Sequence, residues 1–206
     1  MDRENPLGER VRACRASSRR EQVNPNLLRL MESWSHTPAM VLDRCTTVLA
    51  GSPLGMALFD GLTGGGDVVR PVFLDPRAQD FYLDWDLVAG SLLTGLREAA
   101  GADGDDAQLI EVVGELSLKS DRFRKMWARN DLSREFGEPR RFRHRLVGEL
   151  TLRCQILTLD SAPGQQLIVF QAEPDSPSEL ALCLLERLTA GDPGRPAAHP
   201  EPPPDR

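Results

Sequence analysis

The sequence predicts an α+β fold: one five-stranded antiparallel sheet with helices packed mainly on one face. Three observations predict it. Two short aliphatic and β-branched runs, PAMVLDR and TTVLAG, lie near the start, and three strand-like segments, RFRHRLV, GELTLRCQILTLD and QQLIVFQAEP, lie near the end. Between the two groups, residues 75–131 carry apolar side chains at helical spacing. No strand–helix–strand alternation occurs, which argues against a parallel, doubly wound sheet.

The first twenty residues predict a short amphipathic helix, with Leu7, Val11 and Cys14 on one side. NPNLLRLMESW predicts the next helix, capped by Asn24, opened by Pro25 and apolar along Leu27, Leu28, Met31 and Trp34. The two early runs read as a strand pair joined by a tight turn at Asp43-Arg44. Ser52-Pro53 opens a short helix, PLGMALF, that ends in the loop DGLTGGGD. A long helix is expected from Asp75-Pro76 through FYLDWDLVAGSLLTGLREAA, a second over AQLIEVVGELSL and a third, capped by Ser120, over DRFRKMWARND.

Among the late strands, Val147-Gly148-Glu149 and Ser161 to Gly164 mark hairpin turns. In the second of them Leu150, Leu152, Cys154, Ile156 and Thr158 alternate with Thr151, Arg153, Gln155 and Leu157. A last helix, PSELALCLLERL, is expected to pack through Leu180, Leu184 and Leu188. Two strands, a helical insertion, three strands and a helix is the layout of a PAS-like fold.

Composition bounds the function. The chain has 206 residues, 40% hydrophobic, 27% charged and 5% aromatic. The stretch from Gly191 to Arg206 holds six of the sixteen prolines and no large apolar residue, which predicts a disordered tail. About 170 residues remain for one core. No apolar run approaches the roughly 18–20 residues of a membrane span. The N-terminus lacks the apolar stretch of a signal peptide, so a cytoplasmic protein is expected. Cys14, Cys45, Cys154 and Cys183 are scattered, which argues against zinc modules and disulfide frameworks.

The net charge of −6 is unevenly spread: +2 over residues 1–22, +6 over 122–145 and −14 elsewhere. An acidic body with one basic band does not read as a general nucleic-acid binder.

No catalytic motif, cofactor fingerprint or metal-ligand spacing is present. Gly64, Gly65 and Gly66 lack the Lys and Ser/Thr of a phosphate-binding loop. Counted from Asp103, a calcium loop would need glycine where Gln108 stands and glutamate where Gly114 stands. What remains is binding. Phe142 and His144 share one strand face, opposite Arg141, Arg143 and Arg145, where the imidazole meets either a ligand carboxylate or a backbone carbonyl. Trp34, Trp85 and Trp127 sit on apolar helix faces; such residues either pack a core or wall an apolar cavity. Phe59 and Phe123 join them as candidate cavity residues. Arg122 and Arg129, near the ends of the third helix, are the candidate cations for an anionic head group.

Five blocks carry a resemblance: VNPNLLRLMESWSHTPAMVLDRCTTVLAGSPLGMALF, FLDPRAQDFYLDW, VGELSLKSDRFRKMWARNDL, RFRHRLVGELTL and QQLIVFQAEPDSPS. Together, over residues 23–190, they resemble the MmyB-like transcription regulator ligand-binding domain. The resemblance implies a PAS-like sensor that follows an Xre-class helix-turn-helix domain, common in actinobacteria. It also implies a lipophilic effector such as a fatty acid. With no nucleophile–base pair or metal cluster in the sequence, no enzymatic role and no cofactor are expected.

Three positions depart from the family pattern. Gly51-Ser52 stands for an aromatic or Ala followed by Asn, His144-Arg145 for His-Pro, and Trp127-Ala-Arg-Asn-Asp-Leu132 for WARHDV. Residues 1–22 resemble only the opening helix of the DNA-binding domain. One such helix cannot present a reading helix to the major groove. The expectation is a domain without specific DNA binding of its own, which binds a lipophilic molecule and forms a homodimer or pairs with related regulators.

Overall fold

A computed structural model describes residues 22–62, 66–102, 106–129 and 138–190. The expected helix around Leu7 and the tail from Gly191 lie outside them, as do Gly64 and Gly65.

Helix α1 (Pro25–Glu32) begins where the Asn24 side chain accepts from the Asn26 amide at 2.9 Å, and Pro25 fixes the first turn. Strands β1 (Ala39–Leu42) and β2 (Val48–Gly51) pair antiparallel. Their connection is longer than a tight turn. Asp43 Oδ1 accepts from the amides of Cys45 and Thr47, both at 2.8 Å, and builds a five-residue loop over 43–47.

Helix α2 (Pro53–Leu58) is capped by Ser52. A helix that the sequence pattern did not predict follows, α3 (Val69–Leu74). Six residues with Pro71 inside show too little periodicity to register. The long helix expected from Asp75 is divided into α4 (Arg77–Phe81) and α5 (Trp85–Ala102). The break has a cause. Leu83 N–H donates to the Arg141 carbonyl at 3.0 Å, and the Asp84 carboxylate receives the Arg141 amide at 3.0 Å and its Nη2 at 2.5 Å. Those bonds to the sheet replace helical ones.

Helix α6 (Ala107–Lys119) starts on Asp106, whose side chain accepts from the Gln108 and Leu109 amides, and α7 (Asp121–Ala128) starts on Ser120 as predicted. Strands β3 (Arg140–His144), β4 (Gly148–Thr158) and β5 (Gln166–Ala172) close the sheet, and α8 (Pro177–Ala190) ends the domain.

The five strands are antiparallel in the order β2-β1-β5-β4-β3. Sheet and helices together form the expected α+β, PAS-like fold. The inner face of the sheet carries Met40, Leu42, Phe142, Leu150, Leu152, Ile168 and Phe170 against α2, α4, α5 and α8. A second cluster lies farther out, where Val69, Leu93, Leu96, Val112, Leu116 and Phe123 join α3, α5, α6 and α7. The outer face is covered over β1 and β5 by α1, through Met31.

Two expectations about facing are corrected. On α8 the buried residues are Ser178, Leu182 and Leu185, while Leu180, Leu184 and Leu188 point outward. On β4 burial stops at Cys154 and Ile156 is exposed, because β3 pairs only with Gly148–Leu152 and the strand runs on past it.

Candidate ligand-binding site

Seven Phe, three Trp and one Tyr make up the aromatic content, and nine of them meet in two sets on the inner side of the sheet. In the first set Phe59 lies 5.1 Å from Phe170 and 6.1 Å from Phe142, ring centroid to centroid, and Phe81 lies 5.5 Å from Phe142 and 4.8 Å from Tyr82. Burial pushes the Tyr82 phenol above its ordinary value. In the second set Phe73 meets Trp85 at 5.4 Å and Phe123 at 5.1 Å, both edge to face, and Phe123 stacks on Trp127 at 5.5 Å.

The two clusters meet at a seam between α3, α5 and α7. Phe73, Leu92 and Met126 are half-buried and pack against both clusters at once. Trp85 is fixed at the inner end by its indole N–H, which donates to the Val72 carbonyl at 2.8 Å. Two cations edge the seam. The Arg122 guanidinium lies 3.9 Å above the Trp85 ring, within 3.4 Å of Asp86. The Arg97 guanidinium lies 5.1 Å from the Trp127 ring centroid. The Met126 thioether, the aromatic rings and Arg122 at this half-buried edge offer contacts for an apolar chain and a negative head, whereas Arg97 is committed to the Met126, Trp127 and Arg129 carbonyls.

The candidate residues fall into three places. Trp85, Phe123 and Trp127 meet at the seam. Phe59 and Phe142 lie deeper, in the ring cluster on the sheet. Trp34, Arg129 and His144 are not brought together with them. Trp34 packs beside α1 on the outer face, with the sheet between it and the rest. Arg129 caps α7 with an exposed side chain, and its carbonyl accepts from Arg97 at 2.8 Å.

His144 is buried, with Nε2 3.3 Å from the Ala57 carbonyl and Nδ1 accepting from the Leu146 amide at 3.3 Å. Both ring nitrogens are thus engaged with backbone. Desolvation, the larger cause, holds its pKa below the ordinary value against the Ala57 bond.

Sequence reasoning missed two cations, Arg97 at the seam and Arg140 on β3. Arg140 is buried on the inner face and donates from Nη2 to Ser91 Oγ of α5 at 2.8 Å. The signal was available: Arg140 has the same strand parity as Phe142 and His144, one step before the predicted start of the strand. Nearby Cys154 is a half-buried thiol that desolvation pushes up to about 11.

The profile of the MmyB-like transcription regulator ligand binding domain matches residues 23–185. The chain belongs to that family. The match runs from the entry to α1 into α8 and so takes in every strand and the whole seam. No curated protein matches the sequence. As a member of the MmyB-like family the chain is the ligand-binding part of a transcription regulator. Among the described residues no group of three or more His, Cys, Asp or Glu side chains is placed to hold a metal ion, and no helix is long and apolar enough to cross a membrane.

Proposed function

We propose that this MmyB-like domain senses a lipophilic molecule with an anionic head, a fatty acid being the type case, and that it does so in the cytoplasm without catalysis. The observation that carries the reading is the seam. It is an apolar edge shared by two clusters, lined by Phe73, Leu92, Met126, Trp85, Phe123 and Trp127, with Arg122 over the Trp85 ring. The chain of the ligand enters between the clusters, toward Phe59 and Phe142, by displacing the half-buried side chains. Its head stays at Arg122 and exchanges the long contact with Asp86 for a charge-assisted bond.

Native mass spectrometry of gently purified protein, with organic extraction of whatever is bound, tests this. A co-purifying lipophilic acid is the expected result. Protein that arrives empty and also fails to take up an added fluorescent fatty acid overturns it.

A second reading is pairing with like domains, with no specific DNA binding by this chain alone. An exposed leucine row on α8 favours it.

A further inference from the structure

Helix α8 has two apolar flanks, and among the described residues only one is packed against the fold. Leu182 and Leu185 face the core, whereas Leu180, Leu184 and Leu188 are 71%, 48% and 47% exposed. Residues four apart drift by about 40° around a helix, so these three form one slanted ridge. A single exposed leucine is ordinary, but a row of three on one flank is a contiguous patch. Residues 191–206, which follow it, contain no large apolar side chain.

We infer that this ridge seats the same ridge of a second copy, with the two α8 helices antiparallel about a two-fold axis at Leu184. The inference deepens the pairing reading and rests on it. The ridge is self-complementary in that arrangement: Leu180 meets Leu188 of the second copy, and Leu184 meets its equivalent. The charges agree. Glu179 and Arg187 are both exposed and project from the same side of the ridge. A two-fold axis across the helices returns that side to itself, which brings Arg187 to Glu179 of the second copy twice. A parallel pair sets this side against the one bearing Ala181 and leaves both charges without their opposites. Cys183 lies on the charged side at the level of the axis, so its thiol approaches its own equivalent. Three leucines per copy are less than the roughly 800 Å² per partner of a standard interface, so the dimer is weak and depends on concentration.

Sedimentation of the full chain over a range of concentrations tests this, with a short bis-maleimide as a geometric probe. The wild type should dimerise in the micromolar range, and the reagent should link Cys183 to Cys183. Cys183→Ser should abolish the link. Leu184→Glu, at a solvent-facing position, should weaken the dimer at least tenfold, and Leu118→Glu on α6 should leave it unchanged. Arg187→Glu should weaken it several-fold. Adding Glu179→Arg should restore it, with circular dichroism checking that the helix survives loss of the Glu179 bond to the Asp175 amide.

A dimer indifferent to Leu184→Glu overturns the α8 interface and leaves pairing standing. So does a dimer lost only when residues 1–21 are removed. A chain that stays monomeric overturns both. Ligand content, read from the same samples by native mass spectrometry, reports separately on the sensing function.

Discussion

Arg97 on α5 clamps the end of the helix that carries Trp127. Its Nη2 shares donation among the carbonyls of Met126, Trp127 and Arg129 at 2.8–2.9 Å, and its guanidinium lies 5.1 Å from the Trp127 ring centroid. Those carbonyls belong to the last turn of α7, which has no helical partners for them, and a cation there also meets the negative end of the helix dipole. Trp127 in turn stacks on Phe123, so one arginine sets the position of both rings at the outer side of the seam.

Replacing Arg97 with Ala should therefore cost about 1–3 kcal/mol, the range for buried acceptors that lose a charged donor. The loss should be local. Hydrogen exchange should accelerate over Asp121–Ala128 more than over β4 and β5, and Trp127 fluorescence should shift toward that of an exposed indole. Uniform acceleration across the domain would refute the clamp.

Two glycines make opposite predictions. Gly55 on α2 crosses β1 so closely that a Cβ would lie 2.4 Å from the Ala39 carbonyl oxygen and 2.8 Å from its nitrogen. Backbone cannot yield as a flexible side chain does, so Gly55→Ala should cost about 3 kcal/mol or more. On α6, a Cβ at Gly114 meets nothing within 4 Å. Gly114→Ala should stabilise the domain by about 0.5–1 kcal/mol through helix propensity. Thermal unfolding of the two variants side by side decides both.

These elements also mark how far the sequence was legible. Short β-branched runs gave the early strands, and alternation gave the inward placement of Phe142 and His144, because a buried sheet face fixes parity. Periodicity gave α8 but not its orientation: the helix has leucines on two flanks, Leu180, Leu184 and Leu188 against Leu182 and Leu185, and pattern alone cannot say which flank finds a core. The α4–α5 break was illegible because its cause is distant in sequence, the bonds from Arg141 to Asp84. Similarly, spacing could place Trp34 on a helix face but not say that α1 lies across the sheet from the other tryptophans.

The departure at Gly51-Ser52 becomes intelligible in the same terms. Ser52 Oγ accepts from the amides of Ala39 and Gly55 at 3.0 and 3.1 Å and donates to the Thr37 carbonyl at 2.9 Å, so it caps α2 as an Asn would. A side chain at position 51 would meet Met56 Sδ at 2.6 Å. Here Met56 occupies the space beside Gly51. Gly51→Ala should therefore be tolerated far better than Gly55→Ala, since a methionine tip can move.

Acid should weaken the link between α3 and α6 in a defined range. Glu115 receives Lys119 Nζ at 2.7 Å and Arg70 Nε at 2.6 Å, and these bonds, Lys119 first, hold its carboxyl at about 2 against an ordinary value of 4.5. The folded value is depressed, so the unfolded chain binds this proton more readily. The contribution is present above pH 4.5 and is lost as pH falls toward 2. Glu115→Gln should lower stability at neutral pH and flatten the urea-unfolding curve across that interval. An acid limb as steep as that of the wild type would rule the group out.

His144 should act at milder acidity. Its Nε2–H donates to Ala57 while Nδ1 accepts from the Leu146 amide, and only the neutral imidazole satisfies both. Protonation would turn Nδ1 into a donor facing a donor, inside a site where burial already disfavours charge. The folded pKa lies below the ordinary 6.5, so this contribution is complete above pH 6.5 and falls away as pH drops through the folded value. Loosening there would free the turn between β3 and β4 and the end of α2 that it holds. Nuclear magnetic resonance of the His144 ring should show the neutral Nε2–H tautomer at pH 7 and titration below 6.5. His144→Gln should remove the corresponding slope from stability measured between pH 8 and 5. A ring that titrates above 6.5 would mean that a negative partner, rather than the two backbone groups, governs this histidine.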